Sequence, residues 1–272
     1  MSDLQAIVLG FIQGATEYLP ISSTAHLRII PSLLGWGDPG AAFTAVIQWG
    51  TLLSALVYFR LDLYNILFGR RVESEESGPA HADSRVLAPI LIGTIPIIVF
   101  GLLLKHQIEG PWRSLYVIGG SMIVFALLLA AAEASYRSER NITEITPVDG
   151  AAVGIGQAFA LIPGASRSGV TIAAALFSGL ERSTAARFSF LLSLPAIFLA
   201  GAKELWDYRH EIAASHMIRP MILATIVAFV VGWIAIDWLL KYLRTHPTYG
   251  FIVYRIIVGA AILALAAKGM IK

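Results

Sequence analysis

The chain has 272 residues, of which 57% are hydrophobic and only 14% charged, with a mean hydropathy of +0.72 and a formal net charge of +2. A soluble domain carries roughly 25% charged residues, so this chain lacks the polar surface that a soluble enzyme, a disordered segment or a secreted module would present. Cysteine is absent, which removes disulfides, thiolate chemistry and cysteine-held metals, and so mild a charge gives no footprint for nucleic acid. The expected fold class is all-α, a polytopic membrane protein forming one integral membrane domain. The N-terminus has neither a basic region nor a small-residue cleavage site, so no removable signal peptide is expected.

The first apolar stretch, Leu4–Leu19, is broken by Pro20-Ile-Ser-Ser-Thr-Ala-His26 and resumes as Leu27–Leu34. Each half is shorter than the ~20 residues that cross a bilayer. Irregular backbone survives at membrane depth only where protein or water satisfies it, so a re-entrant helix–loop–helix hairpin is expected. Spanning helices follow at about 42–59, 86–104 and 114–134. The segment 69–85, charged and rich in Ser and Gly, reads as a solvated loop, as do 135–147 and 205–217. A second broken stretch runs Val148–Ile162, Pro163-Gly-Ala-Ser-Arg-Ser-Gly169, then Val170–Leu180. Three more spans are expected at about 184–202, 218–240 and 250–267.

The order hairpin, span, span, span thus occurs twice, in repeats of about 1–135 and 148–272, and Leu19-Pro20-x-x-Ser23 aligns with Ile162-Pro163-x-x-Ser166. A hairpin returns to its starting side and three spans end on the other, so the second repeat is expected to be inverted. Broken half-helices from opposite faces then meet near the midplane and build a site. Ten Lys and Arg residues fall on the face holding Arg60, Arg137 and Arg244, and seven on the face holding Lys105, Arg113 and Lys268. The positive-inside rule makes the first face cytoplasmic.

Ionisable residues inside apolar segments default to functional candidates. Gln13 and Glu17 share a helix face, although Glu17 alone could also cap the hairpin at the water interface. Ser22, Ser23, Thr24 and His26 follow. The three-residue spacing of Ser23 and His26 lets an imidazole act as base on a hydroxyl, whereas a lone His26 is more often a packing residue. In the second break, Gly164 and Gly169 permit close approach of a ligand. Ser166, Ser168, Thr171 and the N–H groups opening a helix at Val170 make an anion site. Arg167 offers a planar fork for phosphate oxygens, or pairs internally with a carboxylate such as Glu17; the two readings coexist. Gln48 and Gln157 either line the same cavity or bond across helices. Glu133, Lys203, Glu204 and Asp237 lie near span ends, where snorkelling or interfacial placement accounts for them. Arg255, about five residues into the last span, is expected to reach the interface or a buried acid.

A phosphate cradle, an arginine, a carboxylate and a Ser/His pair within an apolar bundle point to phosphoryl chemistry on a lipid-linked phosphate. The two breaks, Gln13-Gly-Ala-Thr-Glu-Tyr-Leu-Pro-Ile-Ser-Ser-Thr-Ala-His26 and Pro163-Gly-Ala-Ser-Arg-Ser-Gly-Val-Thr171, resemble the signature motifs of the undecaprenyl-diphosphate phosphatases of the integral-membrane, bacitracin-resistance type. The likeness covers essentially the whole chain, including Phe43-Thr-Ala-Val-Ile-Gln-Trp-Gly50. The resemblance implies hydrolysis of undecaprenyl diphosphate to undecaprenyl phosphate for recycling of the cell-wall carrier. It also implies a divalent cation (Mg²⁺ or Ca²⁺), a site open to the periplasmic or outer side of the bacterial inner membrane, and bacitracin resistance. Glu17, Ser23, His26 and Arg167 match the positions that the family uses for catalysis, with Glu17 the metal-ligand candidate. Gln13 stands where many members have Glu, which removes one anionic ligand. The nucleophile, Ser23 or water, stays open. So do the oligomeric state, a homodimer included, and a transporter alternative in which the same architecture flips the lipid phosphate.

Overall fold

The computed structural model describes residues 1–69, 82–137, 140–214 and 217–271. Ser2 and Gln5 form a reciprocal capping box that opens helix α1 (Asp3–Tyr18), and Ser22 caps α2 (Ser23–Leu33). The first span, α3 (Ala41–Tyr58), runs almost directly into the short α4 (Arg60–Leu67). Next come α5 (Leu87–Leu103), α6 (Lys105–Glu109) and α7 (Leu115–Ala134). In the second half α8 (Pro147–Ala158) has proline at its first position and a Thr146/Asp149 capping box, the chemistry that a helix start favours. The remaining helices are α9 (Arg167–Phe177), α10 (Arg182–Ala214), α11 (Ile218–Tyr242) and α12 (Tyr249–Ala267).

All six expected spans are present: α3, α5, α7, α10, α11 and α12 are long and apolar enough to cross a membrane. The expected loop at 205–217 is corrected, because α10 continues to Ala214. Residues 203–214 contain no glycine or proline to stop it, and Lys203 pairs with Asp207 one turn on at 2.5 Å, a spacing that supports helix. Of the expected loop 69–85, residues 70–81 lie outside the described residues, and Ser84–Val86 form a 3₁₀ turn.

The halves pack reciprocally. The first helix of each lies on the middle span of the other, α1 on α11 and α8 on α5, while α3 meets α10 and α7 meets α12. Both cross-half contacts use the same device. Gly10 and Gly14 of α1 press against Ala224 and Ala228, and Gly150 and Gly154 of α8 press against Pro89 and Gly93, so closely that a methyl group at any of the four would overlap backbone. Small residues four apart let helix backbones touch where lipid offers no hydrophobic drive. The main core gathers around α10, the most enclosed span, where Phe188 and Phe190 meet Tyr18, Phe59 and Leu176.

Polar ties hold the loops of one end. Glu133 was expected to snorkel, but it is buried and accepts from Arg182 Nε at 2.6 Å, Thr248 N–H at 3.1 Å and Thr248 Oγ1 at 2.8 Å. The loop before α12 folds over it and supplies the two Thr248 donors, while Arg182 is the first residue of α10. Arg187 pairs with Asp62 at 2.6 Å, and Arg140 with Asp149 at 2.7 Å.

Candidate active site

Both breaks are built alike. Leu19 leaves α1 in extended backbone (φ −66°, ψ 139°), as Ile162 leaves the 3₁₀ turn after α8 (φ −80°, ψ 117°). A proline follows, and the chain then turns through a serine of positive φ, 75° at Ser22 and 68° at Ser166. Left-handed backbone strains a residue with a Cβ. Each serine is held there by capping the helix it opens: Ser22 Oγ accepts from Ala25 N–H at 3.4 Å and Ser166 Oγ from Gly169 N–H at 3.2 Å. The structural counterpart of Ser166 is therefore Ser22, one residue out of the register that the prolines define, because the second break is one residue longer. α9 accordingly opens at Arg167 and not at Val170.

The first residues of α2 and α9, Ser23 and Arg167, converge on Glu17 in the last turn of α1. Arg167 Nη2 pairs with Glu17 Oε1. Glu17 Oε2 accepts from Ser23 Oγ at 2.7 Å and from Gln13 Nε2 at 3.1 Å. The side chains of Glu17 and Arg167 are only 7% and 17% exposed, so the pair is strongly shielded yet reachable. Tyr18 fixes the end of α1 below them, its hydroxyl donating to the Thr51 carbonyl at 2.5 Å.

These groups face a cavity of about 340 Å³. Its wall brings together Gln13, Glu17, Ser22, Ser23, Thr24, Gln48, Gly164, Ser166 and Arg167. Arg28, Asp38, Arg113 and Glu204 also line it, and the sequence reading assigned none of them to the site. Arg28 pairs with Asp38, so this added charge is partly balanced. The first turn of α9 points its positive dipole end toward the same region.

The other sequence candidates face elsewhere. Ser168 Oγ donates to the Leu19 carbonyl at 3.1 Å and thereby ties one break to the other. The Gly169 N–H is taken by Ser166. Thr171 Oγ1 donates to the Arg167 carbonyl at 2.7 Å and lies 2.5 Å from Ser189 Oγ on α10. Gln157 is fully buried, its Nε2 reaching the Gly93 carbonyl at 3.4 Å. His26 Nδ1 lies 2.7 Å from the Ser22 carbonyl, and Nε2 lies 2.7 Å from the Tyr254 hydroxyl. A carbonyl only accepts, so Nδ1 carries hydrogen and Nε2 of the neutral ring accepts from Tyr254. Ser23 is thus joined to Glu17 and not to His26. As the first residue of α2 it folds back over α1, while His26, most of a turn further on, points to α12.

One residue without an assigned partner in the sequence reading proves central to this arrangement. Arg255 of α12 is completely buried, and no acid meets it among the described residues. It donates to the carbonyls of Met122, Pro20, Gly164 and Ala165 at 3.3, 3.4, 3.2 and 2.7 Å.

Comparison with known proteins identifies the family. The family model described as "Bacitracin resistance protein BacA" matches residues 6–261. The undecaprenyl-diphosphatase of Chlorobaculum tepidum is 49% identical over 280 residues, covering 99% of this chain and 99% of the relative. That of Synechococcus elongatus is 49% identical over 276 residues, covering 98% and 94%, and that of Myxococcus xanthus is 49% identical over 279 residues, covering 100% and 92%. The matched region contains both breaks and every residue that lines the cavity, so the chain belongs to the bacitracin resistance protein BacA family.

Proposed function

We propose that this protein hydrolyses undecaprenyl diphosphate to undecaprenyl phosphate and inorganic phosphate, recycling the lipid carrier for peptidoglycan and other cell-wall polymers. One observation carries the reading: Glu17, Ser23 and Arg167, brought from three helix ends, meet in one cavity of a membrane-embedded chain whose full-length relatives are named undecaprenyl-diphosphatase. Those names speak for hydrolysis, and the flippase alternative has no comparable support.

The geometry supports the following chemistry. Arg167 is shared between Glu17 and the incoming diphosphate, and its planar fork neutralises charge on the terminal phosphoryl group. Glu17 Oε2, already hydrogen-bonded to Ser23 Oγ, takes the hydroxyl proton as Oγ attacks the terminal phosphorus. The bond from that phosphorus to the bridging oxygen breaks, undecaprenyl phosphate leaves, and water then cleaves the phosphoserine to free inorganic phosphate. Direct attack by water with Glu17 as base uses the same groups and differs in forming no phosphoserine. His26, bonded on both sides, steadies the turn that presents Ser23.

The oxygen donors of Glu17 and Gln13 suit a hard divalent cation, Mg²⁺ or Ca²⁺. Among the described residues no group of three or more carboxylate or histidine side chains forms a cage, so Glu17 would hold such an ion jointly with substrate phosphates. When bound it would neutralise phosphate charge. We place the cavity mouth on the outer side of the bacterial inner membrane, following the Lys and Arg count. We also read the two halves as an inverted repeat, which the reciprocal packing supports.

The test is phosphate release by the detergent-purified chain supplied with undecaprenyl diphosphate, where no gradient or second compartment exists. Equal yields of inorganic phosphate and undecaprenyl phosphate are expected. An intact lipid diphosphate after prolonged incubation would overturn the proposal.

A further inference from the structure

Arg255 is the largest completely buried side chain described in the molecule. An arginine stays charged in proteins, and burying a charge is costly unless it is well paired. All its hydrogen-bond partners among the described residues are main-chain carbonyls, on both breaks and on α7. Pro20, Gly164 and Ala165 lie outside the helices, where a carbonyl has no N–H four residues on to pair with. A guanidinium offers five N–H groups in a fixed plane, enough to serve both breaks at once, whereas the compact ammonium of lysine is not shaped to span them. The neighbouring Tyr254 reaches the first break as well, through His26. On the other side, a Cβ at Gly169 would overlap Arg255 Nη1.

We propose that Arg255 is a positioning residue for phosphate release: from behind the cavity wall it locks the two breaks in the relation that lets Glu17, Ser23 and Arg167 meet. Gly169 is a glycine because the guanidinium fills the space a side chain would take. The inference rests on the reading of the cavity as the hydrolytic site, but the contacts that carry it do not depend on the substrate.

The experiment compares wild type with Arg255→Lys and Gly169→Ala, each purified in detergent. Thermal unfolding and elution volume report folding, kcat and KM are measured for undecaprenyl diphosphate, and amide hydrogen exchange is followed along the chain. In folded Arg255→Lys, kcat is expected to fall about tenfold or more with KM little changed, and exchange to rise at residues 19–23 and 162–169 together while α3 and α10 stay protected. Gly169→Ala, which keeps the charge but displaces it, should show the same pattern. The double variant should lose little beyond the worse single one, since residues acting as one unit are not additive. Should Arg255→Lys fail to fold, Gly169→Ala decides alone. Unchanged kcat in a folded variant, or exchange that rises at one break only, would overturn the proposal. Wild type without phosphate release would defeat the reading of the site instead, and the exchange pattern would still decide the clamp.

Discussion

Glu17 illustrates how three donors can prepare an acceptor. With Arg167 on one oxygen and Ser23 and Gln13 on the other, the carboxylate has one orientation and its charge is balanced. Arg167→Lys keeps the charge but loses the fork, so turnover should fall about tenfold or more, ~1.4 kcal/mol of transition-state stabilisation; near-normal release from folded protein would remove Arg167 from the site. Thr171, which belongs to the same sequence motif, turns toward Ser189 of α10. Thr171→Val should therefore leave phosphate release near wild type and lower stability by about 1–3 kcal/mol, because the buried Ser189 hydroxyl loses this partner, as read from thermal unfolding. Glu17 and Arg167 are legible in the sequence because each is ionisable within an apolar segment. Arg255 bears the same mark, but its partners lie 235 and 90 residues away, beyond any local pattern.

At the scale of elements, helix starts and breaks follow from local chemistry. Pro20 and Pro163 mark the breaks, Ser2 and Thr146 cap the helices that lead into them, and all six spans follow from runs of apolar residues. The long end of α10 is harder to read, because its charged residues resemble a loop until their four-residue pairing is considered. Gly10-x-x-x-Gly14 and Gly150-x-x-x-Gly154 are visible in the sequence, but only the structure reveals which helices they meet. Gly14→Leu or Gly154→Leu must separate backbones in contact, at a cost of about 1–3 kcal/mol or more, and should lower the unfolding temperature, while Gly120→Ala in α7, where an added methyl group meets nothing, has a far smaller effect. Asp149 gives a pH-dependent case. Burial raises its carboxyl pKa, but the hydrogen bonds from Arg140 and Thr146 outweigh that and hold it below the usual carboxylate value. A lowered folded pKa contributes stability above the unfolded pKa, and that contribution disappears as pH falls through the folded one. Asp149→Asn should therefore destabilise the protein at neutral pH, and the gap from wild type should close in thermal scans run progressively below pH 4.

For the whole molecule, the account requires residues from two halves of the chain to act as one site. The order of segments predicts two related halves, and α1 packs on α11 while α8 packs on α5. Single cysteines placed in this cysteine-free chain at 36–41 and at 141–147 should react with impermeant reagents from opposite sides of sealed vesicles. Labelling of both from one side would refute the inverted arrangement. The central claim, that Glu17 from the first half and Arg167 from the second form one catalytic unit, is tested most directly by a double-mutant cycle on kcat/KM for undecaprenyl diphosphate, using Glu17→Gln, Arg167→Met and the double variant. Each single change should cost about a hundredfold or more, and the double variant should lose little beyond the worse of the two. Losses that simply multiply, or near-wild-type activity in either single variant, would contradict it.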